Sequence, residues 1–186
     1  MKLDSEIEAV QELLKGKTTT KPKGHTGQGI FFTSKVADVF ELDTYDYRLR
    51  VDNEVDDIFL LPLDNQVRGT RIQFKISINS KKHAGAIFKK YQTDPEDTAA
   101  FDKTEIPIKL YNMGTIYISR SQARRVMLGL QKFKSVILDF DKVPTIGQAF
   151  ADEVFRVWAS RYPDTKISAI NTNEAVKFMI DRVEKP

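Results

Sequence analysis

Two stretches of the chain carry residue types at spacings that could do chemistry. Gly24-His25-Thr26-Gly27-Gln28-Gly29 sets three glycines ahead of Ile30-Phe31, and Thr18, Thr19 and Lys21 precede it in a polar run. Glycine lets main-chain amides approach an oxyanion, and a helix start offers N–H groups with no intrahelical partner, so such a loop can cradle a phosphate. A plain glycine turn that starts a helix has the same residues, and spacing alone does not separate the two. The second stretch is Ser119-Arg120-Ser121-Gln122-Ala123-Arg124-Arg125. Its arginines could offer planar donor forks to an anion; pairing with Asp139 or Asp152 on a solvated face is the simpler reading. Ser119 or Ser121 suits a helix cap. His25 and His83 are the only histidines and there is no cysteine, so no metal site and no thiol nucleophile are assigned. Asp152 and Glu153 find no partner for carboxylate catalysis, and no catalytic residue is assigned.

The elements that must position these residues follow from periodicity. With 186 residues, 41% apolar and 30% charged, the chain suits one medium or two small folded domains. A net charge of +3 is far below the one-sided field of a dedicated nucleic-acid binder. Apolar runs are too short to span a membrane, and Met1 leads into Lys2, Asp4, Glu6 and Glu8 rather than a signal core, so the cytoplasm is the expected location.

Leu3, Ile7, Val10 and Leu14 mark a helix that Gly16 stops. A helix follows Gly29. Strands are expected at 39–42, 47–51, 58–63 and 70–78, separated by Asp-Thr-Tyr-Asp, Asn-Glu and Asp-Asn-Gln turns, as an antiparallel meander with one wet face. Residues 79–104 read as a connector with a short amphipathic piece at 86–91. Beyond it, strands at 106–110, 115–118, 136–140 and 166–170 alternate with helices from Ser121, at 147–161 and at 174–183, an α/β layered module. The near-apolar 136–140 run suits a strand covered on both faces. Phe150, Phe155 and Trp158 follow helical spacing as core contacts.

The glycine stretch, the threonine-rich segment before it and the Gly69-Thr70 pair on the last meander strand resemble the C-terminal half of a GHKL, or histidine-kinase-like, ATPase domain. The resemblance implies a partial α/β sandwich over residues 1–78, with Thr18 to Lys21 in a mobile lid. His25, Thr26, Gly27, Gln28 and Gly29 would form the phosphate-facing box, with Gly69 and Thr70 near the base of the nucleotide. The family also uses an upstream helix bearing Glu and Asn, and an Asp-x-Gly-x-Gly stretch. Neither precedes Lys15, so the nucleotide pocket is expected to be incomplete, as in a truncated or degenerate relative. ATP and Mg²⁺ are expected only with a complete GHKL domain.

Residues 105–186 resemble the STAS-like domain found C-terminal to GHKL domains, through the Ile118 to Arg125, Leu138 to Val143 and Ile146 to Glu153 stretches. The resemblance implies an interaction surface at Ser119, Arg120, Arg124, Asp139, Gly147, Gln148 and Asp152. It also puts Gly147, Gln148 and Ala149 where anti-sigma factor antagonists carry a phosphorylatable serine, so no hydroxyl stands there and Thr145 is the nearest substitute. The expected protein is α+β and regulatory, with a protein partner or self-association and no direct nucleic-acid or membrane contact. The alternative expectation is the C-terminal part of an active ATPase or protein kinase whose other half is supplied elsewhere.

Overall fold

The computed structural model describes residues 6–17, 26–94, 96, 101–111 and 119–184. It divides into two units, residues 1–90 and residues 91–186, each with its own core.

The first unit orders α1 (Glu6–Lys15), α2 (Gly29–Val36), β1 (Val39–Asp52), β2 (Asp57–Lys75) and α3 (Ala84–Lys90). α1 is stopped by Gly16, whose φ of 75° suits glycine best. β1 and β2 pair antiparallel, but their register breaks at Thr44–Tyr47, where Tyr45 takes a φ of 49°. There β1 folds back on itself. Arg48 pairs with Asp43, Arg50 with Glu41, and Asn53 N–H donates to the Asp38 carbonyl at 2.8 Å, three contacts spaced symmetrically about Tyr45–Asp46. Two strands thus give four antiparallel arms near the four strands read from sequence, but in the lateral order 57–62, 47–52, 39–44 and 70–75: the last arm returns to pair with the first, so they do not form the expected meander.

Alternation sorts the arms into two faces. On one, Phe40 opposes Phe74, Leu42 opposes Ile72, Leu49 opposes Leu60 and Val51 opposes Ile58. Phe40, Leu42, Leu49 and Val51 are buried beneath α1 and α2, whereas Ile72 and Phe74 are half exposed. The other face carries Glu41, Asp43, Arg48, Arg50 and Arg71 as cross-arm ion pairs. Asn53 donates to the Ser34 and Ala37 carbonyls at 2.7 and 2.8 Å, closing the end of α2 from the hairpin turn. β2 ends at Lys75, three residues short of the expected strand: Asp38 Oδ2 takes the Ser77 N–H at 2.6 Å and draws the chain away.

The second unit orders β3 (Lys103–Pro107), a 3-10 turn (Ile108–Tyr111), α4 (Arg120–Met127), a second 3-10 turn (Leu130–Lys132) and β4 (Ser135–Asp139). α5 (Gln148–Ala151) then runs through a wider π-helical stretch (Asp152–Trp158) into α6 (Ala159–Arg161), before β5 (Lys166–Ile170) and α7 (Glu174–Glu184). The strands form a parallel sheet in the order β3, β4, β5. Consecutive right-handed crossovers in that order place their helices on one face. Accordingly α4 and α7 both pack on the π-helical stretch. Thr104, Ile106, Val136 and Leu138 are buried under that layer, while Glu105 and Ile137 on the opposite face are only partly buried. β4 is therefore fully covered on one face rather than on two.

Two boundaries differ from the sequence reading. β3 starts at Lys103 and stops at Pro107, which has no N–H to continue the ladder. The expected strand at 115–118 lies outside the described residues. The 79–104 stretch divides between the units: α3 packs on α2 through a Phe32–Phe88 contact, whereas Tyr91, Phe101 and Asp102 are buried in the second unit. Asp102 takes the Thr93 N–H and hydroxyl at 2.7 and 2.6 Å and Lys134 Nζ at 3.0 Å, while its carbonyl takes two amides at the start of β4.

Asp43 is the hinge of the charged face. Its side chain is 1% exposed and accepts Arg48 Nε at 2.6 Å and Arg71 Nη2 at 2.6 Å. The Arg48 hydrogen bond, with Arg71 adding to it, holds the carboxyl below the usual carboxylate range although burial opposes this. A folded pKa below the unfolded value of ~3.9 means stabilisation present above that pH and lost as pH falls through the folded value. Asp43→Asn is expected to cost about 1–3 kcal/mol at neutral pH, with the gap to wild type closing below pH ~4. Urea midpoints that differ by the same amount at pH 7 and pH 3 would contradict this.

Candidate functional site

The carboxyl edge of the parallel sheet gathers most of the second unit's sequence-predicted residues. α4 leads by a short turn into the start of β4, so its own start lies toward the strands' carboxyl ends, where α5 and α7 also begin. Ser119 caps α4: its hydroxyl accepts Gln122 N–H at 3.2 Å, and the Gln122 side chain accepts Ser119 N–H at 3.2 Å, a reciprocal capping box. Asn173 caps α7, taking Val176 N–H at 2.9 Å and donating to the Val143 and Pro144 carbonyls. Gly147 precedes α5 with no side-chain cap, and Gln148 is exposed.

Ion pairs join α4 to the helix after β4. Arg120 reaches Asp152 at 3.0 Å, and Arg156, one turn along, reaches it too. The Arg156 hydrogen bond holds the Asp152 carboxyl below its usual range, against burial and with Arg156 and Arg120 charge assisting. Arg124 pairs with Glu153 at 2.7 Å, and Glu153 is 5% exposed while Arg124 is 67% exposed. An exposed pair adds little stability, but a buried carboxylate needs its partner. The arginine face is thus largely committed to carboxylates of its own unit. Asp139 is not among them: it accepts Asn171 Nδ2 at 2.9 Å and the Asp141 N–H at 3.0 Å.

Residues 122–177 match the family model of a STAS-like domain of unknown function (DUF4325). The matched stretch runs from the first turn of α4 into α7 and lies wholly in the second unit. No curated protein and no solved structure matches the chain. The STAS-like domain holds Arg124, Asp139, Gly147, Gln148 and Asp152, with Ser119 and Arg120 immediately before it. Glu153, Arg156, Asn171 and Asn173 complete its edge and were not singled out as site residues. Asn173, three residues before Val176 and one before Glu174, has the sequence signature of a cap; the others depend on pairing across helices that spacing does not reveal.

In the first unit, Thr18, Thr19, Lys21 and His25 lie outside the described residues. Thr26 is exposed, Gly27 has a φ of 69°, and Gln28 precedes α2 without a side-chain cap. A Cβ on Gly29 would meet nothing within 4 Å, so the fold does not require glycine there. Gly69, with a φ of 88°, precedes Thr70, which opposes Thr44; the Thr44 hydroxyl donates to the Gly69 carbonyl at 3.1 Å. Lys15, at the end of α1, is 2% exposed and paired with Glu12; burial lowers its pKa, with Glu12 opposing the shift. Among the described residues there is no group of three or more His, Cys, Asp or Glu that could hold a metal ion, and no helix long and apolar enough to cross a membrane.

These geometries separate the roles of the glycines. Gly27→Ala is expected to cost about 1–2 kcal/mol from its left-handed backbone, and Gly29→Ala to leave stability unchanged or slightly raised. Thermal melts showing the reverse order would refute the assignment. Ser119→Ala should destabilise the second unit by ~1 kcal/mol; an unchanged chemical-denaturation midpoint would show that the capping box carries no energy.

Proposed function

We infer that the chain is a regulatory, protein-binding component in which the STAS-like domain presents the docking surface. The observation that carries this reading is the carboxyl edge itself. Its arginines are tied to Asp152 and Glu153, its helix starts at Ser119 and Asn173 are capped by their own side chains, and what remains is an uncharged polar stretch at Gly147 and Gln148 beside those pairs. Such an edge suits recognition of a partner's polar surface better than turnover of a small substrate. At the position where related regulators carry a serine, Gly147 and Gln148 leave no phosphate acceptor, so partner exchange would be governed by something other than phosphorylation there.

For the first unit we read the C-terminal part of a GHKL-type nucleotide domain. Support comes from the element order after the glycine stretch, with helix, antiparallel arms and a Gly69-Thr70 pair on the last of them. α2 folds back on β1 from the reversal at Ala37–Asp38, which directs its glycine-led start away from that reversal, the direction in which Thr44 and Thr70 also lie. Gly29, dispensable for folding, would serve close main-chain approach to a phosphate. The metal-binding and adenine-binding side chains would come from an Asp-x-Gly-x-Gly half in cis or from a partner, and nucleotide state would bias the loop before Gly27 between two arrangements.

Isothermal titration of the chain with ATP and Mg²⁺ should show weak binding or none, and binding should appear when a GHKL N-terminal half is fused upstream. Micromolar affinity of the unfused chain would overturn the incomplete-pocket reading, and failure of the fusion to bind would remove the nucleotide role.

A further inference from the structure

β5 and α7 leave a groove of about 280 Å³, lined by Phe155, Ile167, Ala169, Lys177, Ile180 and Glu184 among others. β5 pairs with β4 and with no other strand among the described residues. In a parallel ladder one residue turns both its N–H and its C=O to the neighbouring strand, and the next turns both away. Lys166 N–H donates to the Lys134 carbonyl at 2.8 Å, and the Ile170 carbonyl accepts Phe140 N–H at 3.0 Å. Lys166, Ser168 and Ile170 therefore face β4, and Ile167 and Ala169 turn their N–H and C=O groups to the open side, along the groove.

α7 makes the far wall. Lys177, Ile180 and Glu184 fall on one stripe of the helix. α7 returns from the short turn after Ile170, so Lys177 stands toward the carboxyl end of β5 and Glu184 toward its start. The groove thus has a cation at one end, Ile180 and Phe155 in the middle, a carboxylate at the other end, and along its length a main-chain edge that no strand among the described residues pairs with.

We propose that this groove takes an extended peptide segment of a partner protein as an added edge strand, antiparallel to β5, with acidic, apolar and basic side chains at alternate positions. Lys177 and Glu184 are about 10 Å apart along the helix axis. An acid and a base four residues apart on a strand are separated by about 13 Å, a difference side-chain reach absorbs. Main-chain hydrogen bonds to Ile167 and Ala169 supply affinity, and the three side chains fix direction and register. The inference rests on the protein-binding part of the function proposed above and on none of its nucleotide part.

The probe is a labelled peptide, Ac-Ser-Asp-Thr-Val-Thr-Lys-Ser-NH2, titrated by fluorescence anisotropy into the full chain without nucleotide. Saturable binding is expected. Ala169→Pro deletes one outward N–H and no bond to β4, and Lys177→Glu reverses one end of an exposed wall; each should weaken binding at least about tenfold, equivalent to ~1.4 kcal/mol. The double exchange K177E/E184K should prefer the peptide with Asp and Lys interchanged. Should Ala169→Pro lower the melting temperature, the two charge variants decide the matter. Absence of saturable binding, or binding indifferent to these substitutions, overturns the proposal. So does a dimer that Ala169→Pro converts to monomer and the peptide fails to compete with, since the occupant would then be a second copy of the chain. Because no ATP is present, the outcome leaves the nucleotide reading to its own test.

Discussion

The pairing of β4 with both of its neighbours is the constraint on which the functional account depends. Once Lys166 and Phe140 make their ladder bonds, the parity of β5 is settled: alternate residues must look inward to β4 or outward to the groove. The same parity buries Val136 and Leu138 under the helices. It also sends Asp139 to the carboxyl edge, where Asn171 meets it. A one-residue slip of β5 would turn Ile167 and Ala169 toward β4 and send Ser168 outward. The apolar burial that forbids the slip is thus what holds the recognition chemistry in place.

The first unit obeys the same logic with a different solution. An antiparallel sheet can leave one face in water, and here that face is a lattice of arginines and carboxylates around Asp43 while the other buries Phe40, Leu42, Leu49 and Val51. Two strands alone would be marginal. Folding β1 back at Tyr45 supplies four arms and a core wide enough for α1 and α2 to cover. The cover stops short of Ile72 and Phe74, which leaves the last arm as the least protected part of that core.

Much of this was legible because local chemistry and global fold agree. Alternating Arg71, Ile72, Gln73 and Phe74 announced a strand, although Ile72 and Phe74 stay half exposed, Asp-Thr-Tyr-Asp announced the turn at Tyr45, and Ser119-Arg120-Ser121 announced a helix start. The capping and ion-pair partners were harder. Asn53 closes α2 from sixteen and nineteen residues away, and Glu153 is met by Arg124 across two helices, twenty-nine residues apart; neither leaves a periodic trace. The connector reading of 79–104 failed at its end because Phe101 and Asp102 are isolated in a polar stretch, and only burial against Phe133 and Lys134 shows them to be core. The open edge of β5 was invisible for a deeper reason: its strand was read correctly, but which of its amides lack partners depends on where the sheet ends.

Amide hydrogen exchange resolved by residue tests the central claim most directly. In the free chain the amides of Ser168 and Ile170 should exchange slowly and those of Ile167 and Ala169 fast, and addition of the acid-apolar-base peptide should slow the second pair while leaving the first unchanged. Equal protection of all four amides in the free chain, or a peptide that protects none of them, would contradict the account.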